Sequence, residues 1–315
     1  MKSAKVAVLA GGRSNEATVS RSSAAEVTKA LAARYGNVSQ YELDATLPRT
    51  LLDDAPDVVF PVLHGPPGED GTVQGFLEIM GLPYVGSSVH ASAAAMDKSL
   101  AKAVFRQAGL PIATDRVFAP GTPIEDACRE TRAALGDRVV IKPLRQGSAI
   151  GVTPVMNGGD LAAPFAKAFA LGDGVLVEPF VLGMEVTVGV LDLHGAAPRA
   201  FETIEVRTPQ GTWYDYEHRY TVGQSEHVIP ARVGATCREQ LQRIALTAHA
   251  ALGCADLSRA DFIVTDSEEI VLLEVNTLPG MTPTSLYPDG ARALGIDFAE
   301  LVDQLVVSAL ARGPR

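Results

Sequence analysis

Arg259-Ala260-Asp261-Phe262-Ile263-Val264-Thr265-Asp266-Ser267-Glu268-Glu269-Ile270-Val271-Leu272-Leu273-Glu274-Val275-Asn276 holds two apolar runs around a polar break at 266–269, the pattern of a β-hairpin. With the turn centred between Ser267 and Glu268, Asp261 stands opposite Glu274 and Arg259 opposite Asn276. The two-residue period of a strand puts these four on one face, with Ile263 and Leu272 nearer the turn. The other face, Ala260, Phe262, Val264, Val271, Leu273 and Val275, is entirely apolar and belongs to a core. Directly opposed carboxylates lie ~4.5–5.5 Å apart at Cβ and repel. Converging Asp, Glu and Asn oxygens suit a hard divalent cation, most simply Mg²⁺ carried by a phosphate substrate. Ile263 and Leu272 beside them offer a floor for a flat base. An exposed hairpin with solvated charges is the competing reading, and on this segment alone the two weigh about equally.

The hairpin belongs to a chain of 315 residues, 47% hydrophobic and 20% charged, with apolar material for two or three domains. Its 27 Lys and Arg against 37 Asp and Glu leave a net charge of −10, which argues against a nucleic-acid surface. Cys128, Cys237 and Cys254 are odd in number and show no CxxC spacing. A disulfide framework and a structural zinc are therefore poor readings, and a reducing cytoplasm fits. No apolar run reaches the ~20 residues of a membrane span. The run at 6–10 is too short for a signal core, so no membrane partner is expected.

Upstream, an apolar strand at 6–10, a Gly11-Gly12 turn and a helix at 17–33 open the chain. Strands at 38–43 and 57–63 and a helix at 72–80 complete a small parallel α/β unit. One helix is expected over 91–108, ended by Gly109 and Pro111. Further strands are expected at 138–143, 174–180, 185–191 and 199–206, with helices at 161–171, 235–252 and 298–311. The fold class is α/β, α+β in part.

Between two strands, Gln146-Gly147-Ser148-Ala149-Ile150-Gly151 is a loop of small residues whose backbone N–H groups can approach phosphate oxygens. Lys142 at a strand end could pair with a phosphate, although alone it reads as an exposed lysine, and Lys98 alone reads as a solvated helix residue. Neither GxxxxGK[ST] nor GxGxxG is present, so a nucleotide would bind in another fold. Glu178-Pro179-Phe180-Val181 ends an apolar strand before Glu185. A strand end of this kind can read adenine through its backbone while a carboxylate holds the ribose. A plain interdomain connection fits the same residues.

Taken together the segments resemble the D-alanine–D-alanine ligases of the ATP-grasp superfamily, over nearly the whole chain. The motifs, in order, are Gly11-Gly12-Arg13-Ser14-Asn15-Glu16; Leu63-His64-Gly65 with Gly68-Glu69-Asp70-Gly71; Gly81-Leu82-Pro83-Tyr84-Val85-Gly86-Ser87; Met96-Asp97-Lys98; Tyr214-Asp215-Tyr216-Glu217-His218-Arg219-Tyr220; and Leu273-Glu274-Val275-Asn276-Thr277 with Pro279-Gly280-Met281-Thr282. The resemblance implies a three-domain ATP-grasp architecture, divided at 1–95, 96–181 and 182–315, with the parallel α/β domain first. It implies an ATP-dependent ligase that joins two D-alanines through an acyl phosphate for peptidoglycan precursors, in a cytoplasmic homodimer. Lys98, Lys142, Gly147 and Ser148 would hold phosphates. Glu178, Pro179, Phe180, Val181 and Leu272 would surround adenine, and Glu185 the ribose. Asp261, Glu274 and Asn276 would hold two Mg²⁺ or Mn²⁺ ions, and Arg259 with the Gly280 N–H would form an oxyanion hole. Glu16 would take the first ammonium and, with Ser148 and Tyr220, close the site under a lid at 213–220. By itself Glu16 reads as a first-turn carboxylate facing a helix dipole. His64, otherwise a strand-end histidine bonded to backbone, would lie near the second substrate, and Ser285 and Leu286 would receive its carboxylate.

The chain departs from the family pattern at Arg219, where lysine is usual, and at Ala149, Gln146 and Leu278. An arginine fork in place of a point charge bears on phosphate geometry. Within the fold, a ligase using another second D-amino acid, such as D-serine, or serving a specialised dipeptide pathway is the rival. A non-catalytic nucleotide-binding protein is the rival from another class, and intact Glu16, Ser148, Tyr220, Arg259 and Asp261 argue against it.

Overall fold

The computed structural model describes residues 1–14, 16–156, 158–209 and 224–315. The first sheet contains β1 (Lys2–Ala10), β2 (Tyr35–Glu42) and β3 (Val58–Pro61), parallel and in the order β2-β1-β3. Alternate residues of β1 serve two cores, as the strand period dictates. Val6, Val8 and Ala10 pack with Ala24, Val27 and Leu31 of α1 (Ala17–Ala32), whereas Ala7 and Leu9 pack with Leu47 and Leu51 of α2 (Leu47–Asp54). Helix α3 (Thr72–Ile79) closes the second core through Val73 and Leu77.

The single helix expected over 91–108 is two, α4 (Val89–Met96) and α5 (Lys98–Gln107). Asp97 breaks it with extended backbone (φ −86°, ψ 104°). Its carboxylate then caps α5 by accepting the N–H groups of Ser99 at 3.0 Å and Leu100 at 3.1 Å. The break puts Lys98 in the first turn of a new helix.

The central sheet is antiparallel, in the order β4-β7-β5-β6, from β4 (Arg116–Phe118), β5 (Val139–Pro143), β6 (Thr153–Val155) and β7 (Val175–Pro179). Helices α6 (Ile124–Leu135) and α7 (Ala162–Phe169) cover the face carrying Val139, Ile141, Val175 and Val177. Its other face carries Lys142 and Glu178.

The third sheet is also antiparallel. Its path is β11-β10-β8-β12-β13, with β9 pairing β8. The strands are β8 (Met184–Asp192), β9 (Arg199–Ala200), β10 (Ile204–Arg207), β11 (Glu226–Val228), β12 (Asp256–Val264) and β13 (Ile270–Asn276). The expected strand at 199–206 is thus two, because four steps along the chain from Ala200 to Ile204 oppose three along β8, from Val190 to Thr187. Phe201 still donates its N–H to the Gly189 carbonyl at 2.8 Å while its ring packs on Tyr287, with centroids 4.8 Å apart. Helix α8 (Ala235–Leu252) lies on the third sheet's core, and α9 (Leu286–Ala293) follows the hairpin. The last helix, α10 (Phe298–Arg312), returns to the first sheet and buries Leu301, Val302, Leu305 and Val306 beside Val6 and Val8.

The hairpin of β12 and β13 has the expected register at its base, where Arg259 pairs with Asn276 and Asp261 with Glu274. Beyond Asp261 the register shifts by one, pairing Phe262 with Leu272 and Ile263 with Val271. Leu273 is the extra residue of a β-bulge, which turns it to the side of its neighbour Glu274. Leu272 is therefore a correction to the sequence reading. Fully buried, it packs in the core with Phe262, Val264 and Val275, and cannot floor a base on the acidic face.

Candidate active site

One cavity of about 1020 Å³ draws residues from all three sheets and their loops. Around it stand Glu16, His64, Lys98, Gly147, Ser148, Arg259, Glu274, Asn276, Gly280, Ser285 and Leu286. A smaller cleft shares Glu274 and Leu286 and adds Glu185, Thr187, Asp261 and Leu273. The apolar residue beside the opposed carboxylates is thus Leu273. Lys142, Glu178, Pro179, Phe180 and Val181 line neither space. Arg219, Tyr220 and the lid expected at 213–220 lie outside the described residues.

Glu16 precedes α1 but makes no capping bond to it. Its buried carboxylate instead accepts a hydrogen bond from the Ser148 hydroxyl, across 132 positions of chain. Ser148 and Ala149 both hold left-handed backbone, at φ 47° and 57°. Such angles are uncommon without glycine and persist where surrounding contacts hold them. Gly147 allows the close approach, since a Cβ there would lie 3.1 Å from a Glu16 oxygen. Lys98 ties the same loop to α5, donating from Nζ to the Gln146 carbonyl at 2.7 Å, and stands 3.7 Å from Glu274.

Across the cavity, Arg259 lies along its own strand and grips Asp261 through two bonds of 2.8 Å. The Thr187 hydroxyl donates to the same carboxylate at 2.6 Å. Asn276 Oδ1 accepts the Leu278 N–H at 2.9 Å, which orients the amide. The donors of Asp261, Glu274 and Asn276 are all oxygens, the chemistry of a hard cation. Among the described residues no group of three or more His, Cys, Asp and Glu is gathered as a self-contained metal centre. The set therefore fits a cation that brings phosphate oxygens and water as its remaining ligands.

His64 and Glu69 form the buried wall of the cavity. Burial, and then the positive charge of Arg259, push the His64 imidazole down to about 4, so it is neutral near pH 7. Its buried Nε2 has no hydrogen-bond partner among the described residues. Glu69 accepts the Gly65 N–H at 2.6 Å. Burial first, and then the charge of Glu16, raise its carboxyl well above the ordinary range. No role was assigned to Glu69 from sequence. A second acid five positions after His64 was the available signal.

The central sheet holds a different arrangement. Glu178 is bonded through one oxygen to Lys102 and through the other to Lys142. Burial pushes the Glu178 carboxyl up, but Lys142 and Lys102 outweigh it and leave it lowered. Burial likewise works against the Lys142 ammonium, and Glu178 outweighs it and leaves it raised. The sequence reading missed Lys102, although a second lysine one helical turn after Lys98 shares its face. Next along, the Phe180 ring lies under the Arg138 guanidinium, 5.0 Å from its centroid.

This geometry can be set beside known proteins. A family model described as D-ala D-ala ligase C-terminus matches residues 104–307, and one described as D-ala D-ala ligase N-terminus matches 39–87. The chain belongs to the D-alanine–D-alanine ligase family. A D-alanine–D-alanine ligase of Geobacter sulfurreducens is 43% identical over 310 residues, covering 98% of this chain and 95% of that protein. Among solved structures, a D-alanine–D-alanine ligase from Bacillus anthracis complexed with ATP is 28% identical with a TM-score of 0.83, covering 98% of each chain. The VanG D-Ala:D-Ser ligase from Enterococcus faecalis is 32% identical with a TM-score of 0.82, covering 98% of this chain and 100% of that one. The fold is accordingly the ATP-grasp arrangement of this family, with a parallel first sheet and antiparallel sheets behind it. No helix among the described residues is long and apolar enough to cross a membrane.

Proposed function

We propose that this chain joins two D-alanines to D-alanyl-D-alanine, splitting ATP to ADP and phosphate. The observation that carries the reading is the cavity faced by the Ser148 loop, Arg259, Glu274 and the start of α9 at Ser285 and Leu286, joined through Glu274 and Leu286 to the cleft that holds Asp261. In the first step a carboxylate oxygen of one D-alanine attacks the terminal phosphorus of ATP, and ADP leaves. In the second, the amine of the other D-alanine attacks the acyl phosphate carbonyl, and phosphate leaves as the peptide bond forms.

Glu16 receives the first ammonium, and its bond to Ser148 holds the phosphate loop closed. Lys98, Lys142, Gly147 and Ser148 address the phosphates; Pro179, Phe180, Val181 and Leu273 surround adenine, and Glu185 holds the ribose. Asp261, Glu274 and Asn276 hold two Mg²⁺ or Mn²⁺ ions, which when bound neutralise phosphate charge. Arg259 and the Gly280 N–H face the oxygen that gains charge at the acyl carbon, and an oriented donor there is worth about 2.7–4 kcal/mol. Neutral His64 can accept a hydrogen bond from the second amine, while Ser285 and Leu286 take that substrate's carboxylate. Arg219 and Tyr220 are assigned to the lid on their motif alone. Domains at 1–95, 96–181 and 182–315, a homodimer and a cytosolic setting belong to the same reading.

The test is a phosphate-release screen of paired D-amino acids with ATP and Mg²⁺, with product masses read. D-alanine alone should give the largest dipeptide yield, and D-alanine carboxylate labelled with ¹⁸O should pass label to phosphate. A mixed product with D-serine in excess would move the assignment to the rival second substrate. Pyrophosphate release would replace the acyl phosphate with an adenylate.

A further inference from the structure

Lys102 is a buried lysine to which the reading above gives no task. It lies on α5 one turn beyond Lys98, with 2% of its side chain exposed. Its ammonium donates to the Ala113 carbonyl at 2.9 Å and to Glu178, and Asp115 stands 3.7 Å away. Glu178 in turn is shared with Lys142, which sits one strand across on the same face of the central sheet. One lysine would suffice to neutralise one carboxylate. Here two are committed to an acid that is itself 3% exposed.

The surplus matters because buried partners are not free to separate. Withdrawing the only cation from a buried carboxylate strands an uncompensated charge at high cost. A lysine that must turn to a phosphate can leave such an acid only if another cation stays behind. Of the two lysines, Lys142 is the more exposed, at 13%, and also lies within the fields of Glu274 and Glu185 at the cavity. Neither lysine lines the cavity or the cleft, and Lys102 is in addition anchored to the Ala113 backbone carbonyl.

We propose that Lys102 is a positioning residue of the nucleotide site: it is the standing counter-ion of Glu178 and so makes Lys142 exchangeable between Glu178 and a nucleotide phosphate. The inference rests on the nucleotide reading above and deepens it. Lys102 itself touches no ligand. Its effect belongs to ligands that carry phosphate and draw Lys142 away, and not to the adenosine part.

The experiment compares Lys102→Met with the wild-type protein, measuring dissociation constants for ADP with Mg²⁺ and for adenosine. ADP binding should weaken at least about tenfold, while adenosine binding changes less than about twofold. In a Glu178→Gln background the same substitution should change ADP affinity less than about twofold, because no buried charge is left to strand. Equal losses for both ligands would mark Lys102 as a merely structural support and overturn the proposal, as would unchanged ADP binding. Should Lys102→Met fail to fold, Lys102→Gln keeps a donor for Ala113 without the charge and is read by the same criteria. A wild-type protein that binds neither ligand would remove the nucleotide reading itself, a failure distinct from a loss confined to the variant.

Discussion

Two acidic groups of this molecule are balanced in opposite ways. On the central sheet, Glu178 is enclosed by Lys102 and Lys142, and the chain supplies its own neutralisation. On the hairpin, Asp261 and Glu274 face each other across two strands. Arg259 grips one of them, and Lys98 stands 3.7 Å from the other. The first cluster is neutralised within the chain before any ligand arrives. The second holds like charges together in a half-buried cleft, an arrangement that suits a ligand bringing positive charge with it. Burial alone does not separate structural from functional carboxylates. The difference lies across the strands: Glu178 is shared by two lysines, whereas Asp261 and Glu274 stand opposite each other.

The sharpest break of this comparison is Glu274→Ala. Dipeptide formation should fall by at least ~10³, roughly 4 kcal/mol of barrier, while the melting temperature in chelator stays the same or rises. Activity and melting are read on one preparation, and near wild-type turnover would remove Glu274 from the site. The converse experiment removes both cations of the central cluster. Lys102→Met with Lys142→Met should lose about 3–5 kcal/mol in urea unfolding at pH 7, and adding Glu178→Gln should recover most of it. A double variant as stable as the wild type would mean that Glu178 is not held as a charged group.

Within the hairpin, the bulge divides neighbouring leucines. Leu272→Ala should cost about 2–5 kcal/mol of stability and leave nucleotide affinity largely intact. Leu273→Ala should do the reverse, with a modest loss of stability and a weaker nucleotide. Paired unfolding and binding curves separate them, and a swap of the two phenotypes would place the register shift elsewhere.

The smallest effect concerns His64, which is buried without a counter-charge. Its pKa is lowered from 6.5 to about 4, so only the unfolded chain takes the proton in that window. The stability that His64 contributes is complete above pH 6.5 and is lost as pH falls toward 4, by up to about 3 kcal/mol. Glu69 is raised and runs the other way, binding its proton more readily in the folded state and losing stability as pH rises. The useful measure is therefore the difference in unfolding free energy between wild type and His64→Gln across pH 4–7. A difference that does not change with pH would show that His64 titrates normally.

Much of this was legible in the residues. The pairing of Asp261 with Glu274 followed from a polar break between apolar runs and the period of a strand. The parallel first sheet followed from continuous apolar strands separated by helices. These are local regularities, and the chain carries them wherever it is placed. Long ordered motifs were enough to assign the family before any side chain was positioned.

Tertiary structure alone decided the rest. The bulge at Leu273 reverses the outlook of two adjacent leucines, and no composition distinguishes Leu272 from Leu273. The break at Asp97 depends on an extended backbone and a capping bond within a run whose residues otherwise favour helix. The bond from Ser148 to Glu16 and the sharing of Glu178 between two lysines join segments 132, 76 and 36 positions apart. A sequence states which charges exist. Which of them meet, and which are left facing a cavity, is set by the packing of three sheets, because burial strengthens every pairing and penalises every omission.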